Sequence, residues 1–197
     1  MSQPYIPLSH VGLAPRVKYR RPAHLSQRVS LESPAAAVMT DLDRTAAVTI
    51  GPGASIETAN QCMIAAGVRL LFVVDEEQRI LGLITASDIL GEKPVKYMQR
   101  TGETFNELLV GDLMTPQEEL DVLRLQDVSR ARVGDIVATL KYVGRQHALV
   151  VESVGESAVQ RMRGIFSATQ IGRQLGMNVT PGEIALTFAQ LETILIS

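Results

Sequence analysis

The chain has 197 residues, 46% of them apolar and 20% charged, with a formal net charge of −2. That length suits one large domain or two small ones and can bury a real core, and the composition excludes wholesale disorder. Trp is absent and only four Phe and four Tyr occur, so a groove of stacked aromatics is poorly supplied, and the lone Cys62 excludes a disulfide framework or a Cys-rich zinc site.

Residues 1–36 form a Pro-containing arm with Arg16, Lys18, Arg20, Arg21 and Arg28 against Glu32 alone, a local charge of +4 that leaves −6 for the rest. Such an arm suits docking on its own acidic body or on a twin subunit. Five scattered charges without a helical stripe make a poor nucleic-acid footprint. The N-terminus lacks the basic-then-apolar layout of a secretory signal, and no apolar run approaches the roughly 20 residues that span a bilayer. The expectation is a soluble, cytoplasmic protein with no membrane partner. His10 and His24 have no ligand-spaced partners, so no metal site is expected.

An internal repeat organises the remainder. Val38-Met39-Thr40-Asp41 opens one copy, and Asp112-Leu113-Met114-Thr115-Pro116 opens another 75 residues later. In the first copy Ala46 to Ile50 reads as a strand, broken by Gly51-Pro52-Gly53. Ser55 caps a helix with apolar positions Ile56, Ala59, Met63 and Ala66, and Gly67 ends it. Leu70 to Val74 is an apolar strand, Asp75 to Gln78 a turn, and Ile80 to Ile84 a second strand. A helix then runs from Thr85 to Leu90. Residues 93–109 make a polar, helical connector containing Pro94 and Gly102.

The second copy, residues 110–176, keeps the order. Val133, Ile136 and Leu140 mark its helix, Gly144 the stop, and Ala148 to Val151 the strand. A longer turn spans Glu152 to Arg163, followed by strand Gly164 to Phe166 and a helix from Ser167 to Leu175. From Ile56 to Val74 and from Val133 to Val151 the separation is 18 residues both times. Continuous apolar strands imply burial on both faces. Each unit is too small to close its own core, so two must share one. The fold expected is α/β (α+β): tandem β-α-β-α repeats over 37–92 and 110–176.

This ordered set resembles a CBS-domain pair, the tandem regulatory unit called a Bateman module. The carriers are Met39-Thr40 and Met114-Thr115, Leu71 to Asp75 with Gly82 to Ile89, and Ala148 to Glu152 with Gly164 to Ile171. The resemblance implies pseudo-twofold packing, two clefts between the repeats, adenosine ligands and frequent dimerisation. It also implies a sensing role without catalysis, acting on a partner.

Thr85-x-x-Asp88 admits two readings. It is a capping box, in which each side chain satisfies a helix-start N–H. It is also the place where the family's ribose-binding Thr/Ser-x-x-Asp falls, and a carboxylate with two acceptor oxygens suits a diol. In the second copy Ser167-x-x-Gln170 still completes a cap but loses that charged fork, so a second site should be weaker, altered or empty. The resemblance assigns phosphate contacts to basic residues before a repeat's second strand: Arg69 in the first copy, Arg145 and His147 in the second. His147 would titrate near neutrality and make binding pH-dependent. Ala46 to Ile50, through Val48 and Ile50, with Ile84, would wall an adenine slot, although most of these residues also suit plain core.

Residues 177–197 carry a start signal, Thr180-Pro181-Gly182-Glu183, and an apolar stripe of Ile184, Phe188, Leu191 and Leu195. That helix should pack on a twin subunit or fold back on its own chain. The expected function is a free-standing sensor of AMP, ADP, ATP or S-adenosylmethionine, homodimeric, with no further cofactor and an effector protein as listener. The alternatives are a structural dimerisation module with empty clefts and an accessory subunit of an enzyme or transporter.

Overall fold

The computed structural model describes residues 29–154 and 159–176, together with Gly12, Pro15 and Val17. Residues 1–28 of the basic arm, those three apart, and the helix expected over 177–197 lie outside the described residues. Strand β1 (Thr40–Asp41) opens the first repeat, followed by β2 (Thr49–Ile50), α1 (Ile56–Ala66), β3 (Leu70–Val74), β4 (Ile80–Thr85) and α2 (Ala86–Leu90). The connector folds as α3 (Lys93–Thr101) and a 3₁₀ turn at Phe105–Glu107, and α4 (Val110–Leu113) then begins the second repeat. The second repeat contains β5 (Thr115–Pro116), β6 (Val122–Arg124), α5 (Leu125–Val128), α6 (Val133–Val143), β7 (His147–Val154), β8 (Val159–Ser167) and α7 (Ala168–Gln174).

Local chemistry sets the helix limits. Ser55 Oγ accepts from the Thr58 N–H at 3.1 Å, and Gly67 ends α1 in the left-handed region at φ 66°. Gly144 ends α6 in the same way at φ 63°. The expected turn from Glu152 to Arg163 is instead mostly strand. The β7–β8 ladder continues through Glu152↔Arg161 and Ser153↔Gln160, extending the sheet beyond the first repeat's shorter hairpin.

The sheets are exchanged between repeats. One has the order β2-β3-β4-β5, the other β1-β8-β7-β6. Thus β1 pairs antiparallel with β8 (Thr40↔Ile165), and β5 with β4 (Thr115↔Leu83). Each opening strand completes the other repeat's sheet. The segments just before them cross over too: Val133 donates to the Ser33 carbonyl, and Ile56 to the Leu108 carbonyl. Neither sequence unit closes its own sheet alone.

Three apolar clusters follow from strand alternation. Leu71, Val73 and Ile84 face α1 and α2 with Ile56, Ala59 and Met63. Val150 and Phe166 face α6 and α7 with Ile136, Leu140 and Ile171. Leu70, Phe72, Val74 and Leu83 meet Leu149 between the two sheets. The layers therefore run helices, sheet, shared core, sheet, helices, and all five β3 residues are buried, as the apolar run Leu70–Val74 requires.

The exchanged strands make one glycine pair informative. A Cβ at Gly82 would fall on the Thr115 carbonyl oxygen of β5. At the equivalent Gly164 the nearest atom is the Met39 sulfur, 2.5 Å away on a flexible side chain. Gly82→Ala is therefore expected to cost about 2 kcal/mol or more, and Gly164→Ala about 1 kcal/mol or less. Urea denaturation of the two variants checks this. Equal losses would mean that β5 moves as readily as a methionine side chain.

Candidate functional site

A cleft of about 370 Å³ lies where the two repeats meet. The end of β4 and the start of α2 contribute Leu83, Thr85, Ser87 and Asp88. Thr115, Glu119, Leu120 and Asp121 come from the start of the second repeat, and Gly144, Arg145, Gln146, His147 and Leu149 from the α6–β7 junction. Gln146 Nε2 donates to Ser87 Oγ at 3.3 Å, so the two repeats already touch across it.

Both readings of Thr85-x-x-Asp88 apply to the same atoms. Asp88 Oδ2 accepts from the Thr85 N–H at 2.8 Å and from Thr85 Oγ1 at 2.7 Å, and the Asp88 N–H donates to Thr85 Oγ1 at 3.2 Å. The capping box is complete. Asp88 Oδ1 meets Lys93 Nζ at 2.7 Å, and the carboxylate is only 13% exposed. A carboxylate offers about four lone-pair positions. Three are taken, so the two-pronged fork expected for a diol reduces to one free position on Oδ1 unless Lys93 moves. Lys93 Nζ also donates to the Leu113 carbonyl at 3.3 Å, which ties the cleft to the connector.

The expected phosphate contacts divide differently from the sequence expectation. Arg145 and His147 line the cleft with Asp88, whereas Arg69 does not. The ladder explains why. Ala86 donates to the Arg69 carbonyl and Ala168 to the Gln146 carbonyl, so Arg69 corresponds to Gln146, and Leu70 (opposite Thr85) to His147 (opposite Ser167). Because the repeats face one another, the start of β7 lies beside Asp88. Arg69, the counterpart of Gln146, stays off the cleft lining, although its charge reaches His147. The cap expected of Ser167 and Gln170 does not form: α7 has no side-chain cap. Instead Gln170 Oε1 accepts from Thr40 Oγ1 at 3.1 Å across the exchanged strand.

Ile84 is wholly buried in the helix-facing core, and Val48 and Ile50 pack against the same cluster. None of the three lines the cleft; Leu83 does, because it points the opposite way from Ile84 and the same way as Thr85. That alternation is a sequence signal that could have selected Leu83. Glu119, Leu120 and Asp121 had no motif to mark them.

His147 does not titrate near neutrality. Burial pushes its pKa down, aided by the Arg69 guanidinium and opposed by Asp88, to about 4. The imidazole is neutral at pH 7. An unfolded-chain histidine titrates near 6.5, so between pH 6.5 and 4 the unfolded state binds more protons and stability falls as the pH falls. His147→Leu, which copies the equivalent Leu70, is expected to remove about 1–2 kcal/mol of that acid sensitivity. Denaturation at pH 7 and pH 4.5 measures it. A wild-type-minus-variant difference that is flat with pH would refute a neutral, desolvated imidazole.

Among the described residues, no helix is long and apolar enough to cross a membrane. Residues 37–94 match the family model for the CBS domain. The architecture is similar to that of an uncharacterized conserved protein from Pyrococcus horikoshii, at 18% identity, 78% of this chain, 100% of that chain and a TM-score of 0.53. It is also similar to the CBS domain of the bacterial CNNM/CorC family Mg2+ transporter (17% identity, 80% and 83% covered, TM-score 0.51). A conserved CBS domain protein of unknown function from Thermoplasma acidophilum matches at 16% identity, 81% and 78% covered, TM-score 0.50. At such identities the likeness is one of fold. The match to the CBS domain thus covers the first repeat, and the rest of the chain shares the fold of these structures.

Proposed function

We propose that the chain is a regulatory module, without catalysis of its own, that binds an adenosine-containing metabolite between its repeats. The candidates are AMP, ADP, ATP and S-adenosylmethionine. One observation carries this reading: the cleft joins the α2 start of one repeat to the α6–β7 junction of the other. A ligand there touches both repeats and biases how they pack, which is what a sensor needs. Its 370 Å³ is at the small end of ligand pockets, which run roughly 300–1,000 Å³, and suits one mononucleoside. Leu83, Leu120 and Leu149 offer apolar surface to a base. Ser87 and the free position on Asp88 Oδ1 offer partners to ribose hydroxyls, and Arg145, Gln146 and His147 face the 5′ substituent. Ser167 and Gln170, with an uncharged acceptor in place of the Asp88 carboxylate, make any second site weaker, altered or empty.

The signal passes to an effector protein in the cytoplasm or through homodimerisation. Ile64 at the end of α1 and Tyr142 at the end of α6, exposed by 72% and 92%, supply apolar surface for self-association. A thermal-shift screen of AMP, ADP, ATP, NAD and S-adenosylmethionine, with GMP and CMP as controls, tests the reading. A ligand at about 100 times its Kd should raise Tm by roughly 5–10 °C. A chain that shifts equally with GMP and CMP, or with no adenosine compound, does not sense adenosine.

A further inference from the structure

We propose that residues 180–196 dock on the second repeat as α3 docks on the first, with Ile184 resting on Ala37. The docking is independent of any ligand.

The two repeats match residue by residue where they meet their helices. Val110 donates to the Ala54 carbonyl, two residues before α1, and Ala35 donates to the Ala131 carbonyl, two residues before α6. The counterpart of α4 is therefore the 3₁₀ turn Ala35–Val38, and the counterpart of Asp112 is Ala37. In the first repeat the chain leaves α2 at Gly91 and turns back as α3, which packs on α2 and α4. Tyr97 and Met98 join the helix-facing core there. Tyr97 Oη donates to Asp112 Oδ1 at 2.8 Å, and Lys93 Nζ donates to the Leu113 carbonyl at 3.3 Å.

In the second repeat Leu175, which follows α7, packs on the same core cluster as Ala35 and Val38, so the chain leaves the fold beside that turn. Among the described residues no counterpart of α3 covers the turn, and Ala36 and Ala37 are exposed.

The sequence that follows suits this place. In α3 Tyr97 comes three residues after Pro94, which sits in the first turn. Thr180-Pro181 opens a capping box, and Ile184 comes three residues after Pro181. That register sets Ile184 where Tyr97 stands, over Ala37 where Asp112 stands. A hydroxyl–carboxylate pair in one repeat becomes an apolar pair in the other. Phe188, Leu191 and Leu195 continue the stripe at steps of 4, 3 and 4, as one helix face requires. The five residues from Gly176 to Pro181 span at most about 18 Å. So short a tether favours the segment's own repeat over that of a twin subunit.

Thermal denaturation of three full-chain variants tests the contact: Ala37→Asp, Ile184→Tyr, and both together, which rebuilds the pair made by Tyr97 and Asp112. Ala37→Asp places a carboxylate without a donor beneath Ile184 and should lower Tm by about 3–6 °C. Ala37 is exposed, so the described fold should survive the change. The double variant should recover at least half of that loss. An Ala37→Asp variant with unchanged Tm, or a double variant whose loss is the sum of the single losses, overturns the docking. A second readout shows whose segment is bound. Ala37→Cys and Ile184→Cys in a Cys62→Ala chain, treated with a short bismaleimide, should yield the linked peptide pair from monomeric chains. A pair found only in chains of doubled mass, or not found, overturns docking on the segment's own repeat.

Discussion

Asp88→Ala is expected to weaken binding of adenosine compounds roughly 10–100-fold, the worth of a hydrogen bond to a charged group. The unliganded fold should lose about 1–3 kcal/mol, more than a cap alone, because the change removes the Thr85 capping bonds and also strands Lys93. Lys93→Met separates these parts. It removes the cation from Asp88 and the donor from the Leu113 carbonyl but leaves the cap, and it should cost the fold less. Titration calorimetry and denaturation, each with and without saturating S-adenosylmethionine, decide the matter. If Asp88→Ala lowers stability equally in both conditions, Asp88 is a helix cap and the cleft recognises its ligand by other atoms.

The repeat was legible because it rests on short-range chemistry. Ser55 starts a helix by accepting from the Thr58 N–H, Gly67 and Gly144 end helices in the left-handed region that few other residues adopt, and Leu70–Val74 announces a strand buried on both faces. The exchange of β1 and β5 was not legible, because a two-residue strand pairs according to which edge it meets in space. The way the repeats face one another decides which residues line the cleft with Asp88. Arg69 and Asp88 are near in sequence, yet the partner of Asp88 is the Arg145–His147 segment of the facing repeat. Hydrophobicity alone points to Ile84, whereas parity along β4 turns Leu83 to the cleft and Ile84 to the helix-facing core. The pKa of His147 depends on burial between sheets, which no local pattern reveals, although Leu70 at the matching position marks that site as one that tolerates an apolar side chain.

The largest cost to the fold is expected from Phe72→Ala. Phe72 is 2% exposed and sits between the two sheets with Leu70, Val74, Leu83 and Leu149. Removing a buried phenyl ring typically costs about 3–5 kcal/mol, a large share of the roughly 5–15 kcal/mol that stabilises a domain. Phe166, buried in the second repeat between sheet and helices, should show a similar loss for a different reason. Its cavity weakens one repeat, whereas the Phe72 cavity weakens the docking of one repeat on the other and with it both walls of the cleft. A double-mutant cycle separates them. Phe72→Ala and Leu149→Ala lie on facing sheets and should couple by about 0.5–3 kcal/mol, while Phe166→Ala and Leu149→Ala should couple less. The Phe72 variant should also lose ligand-induced stabilisation at concentrations that saturate the wild type, although no Phe72 atom lines the cleft. Additivity between Phe72 and Leu149, or undiminished binding in the Phe72 variant, would show that the repeats hold their arrangement without the shared core, and the coupling of ligand to repeat packing would fail with it.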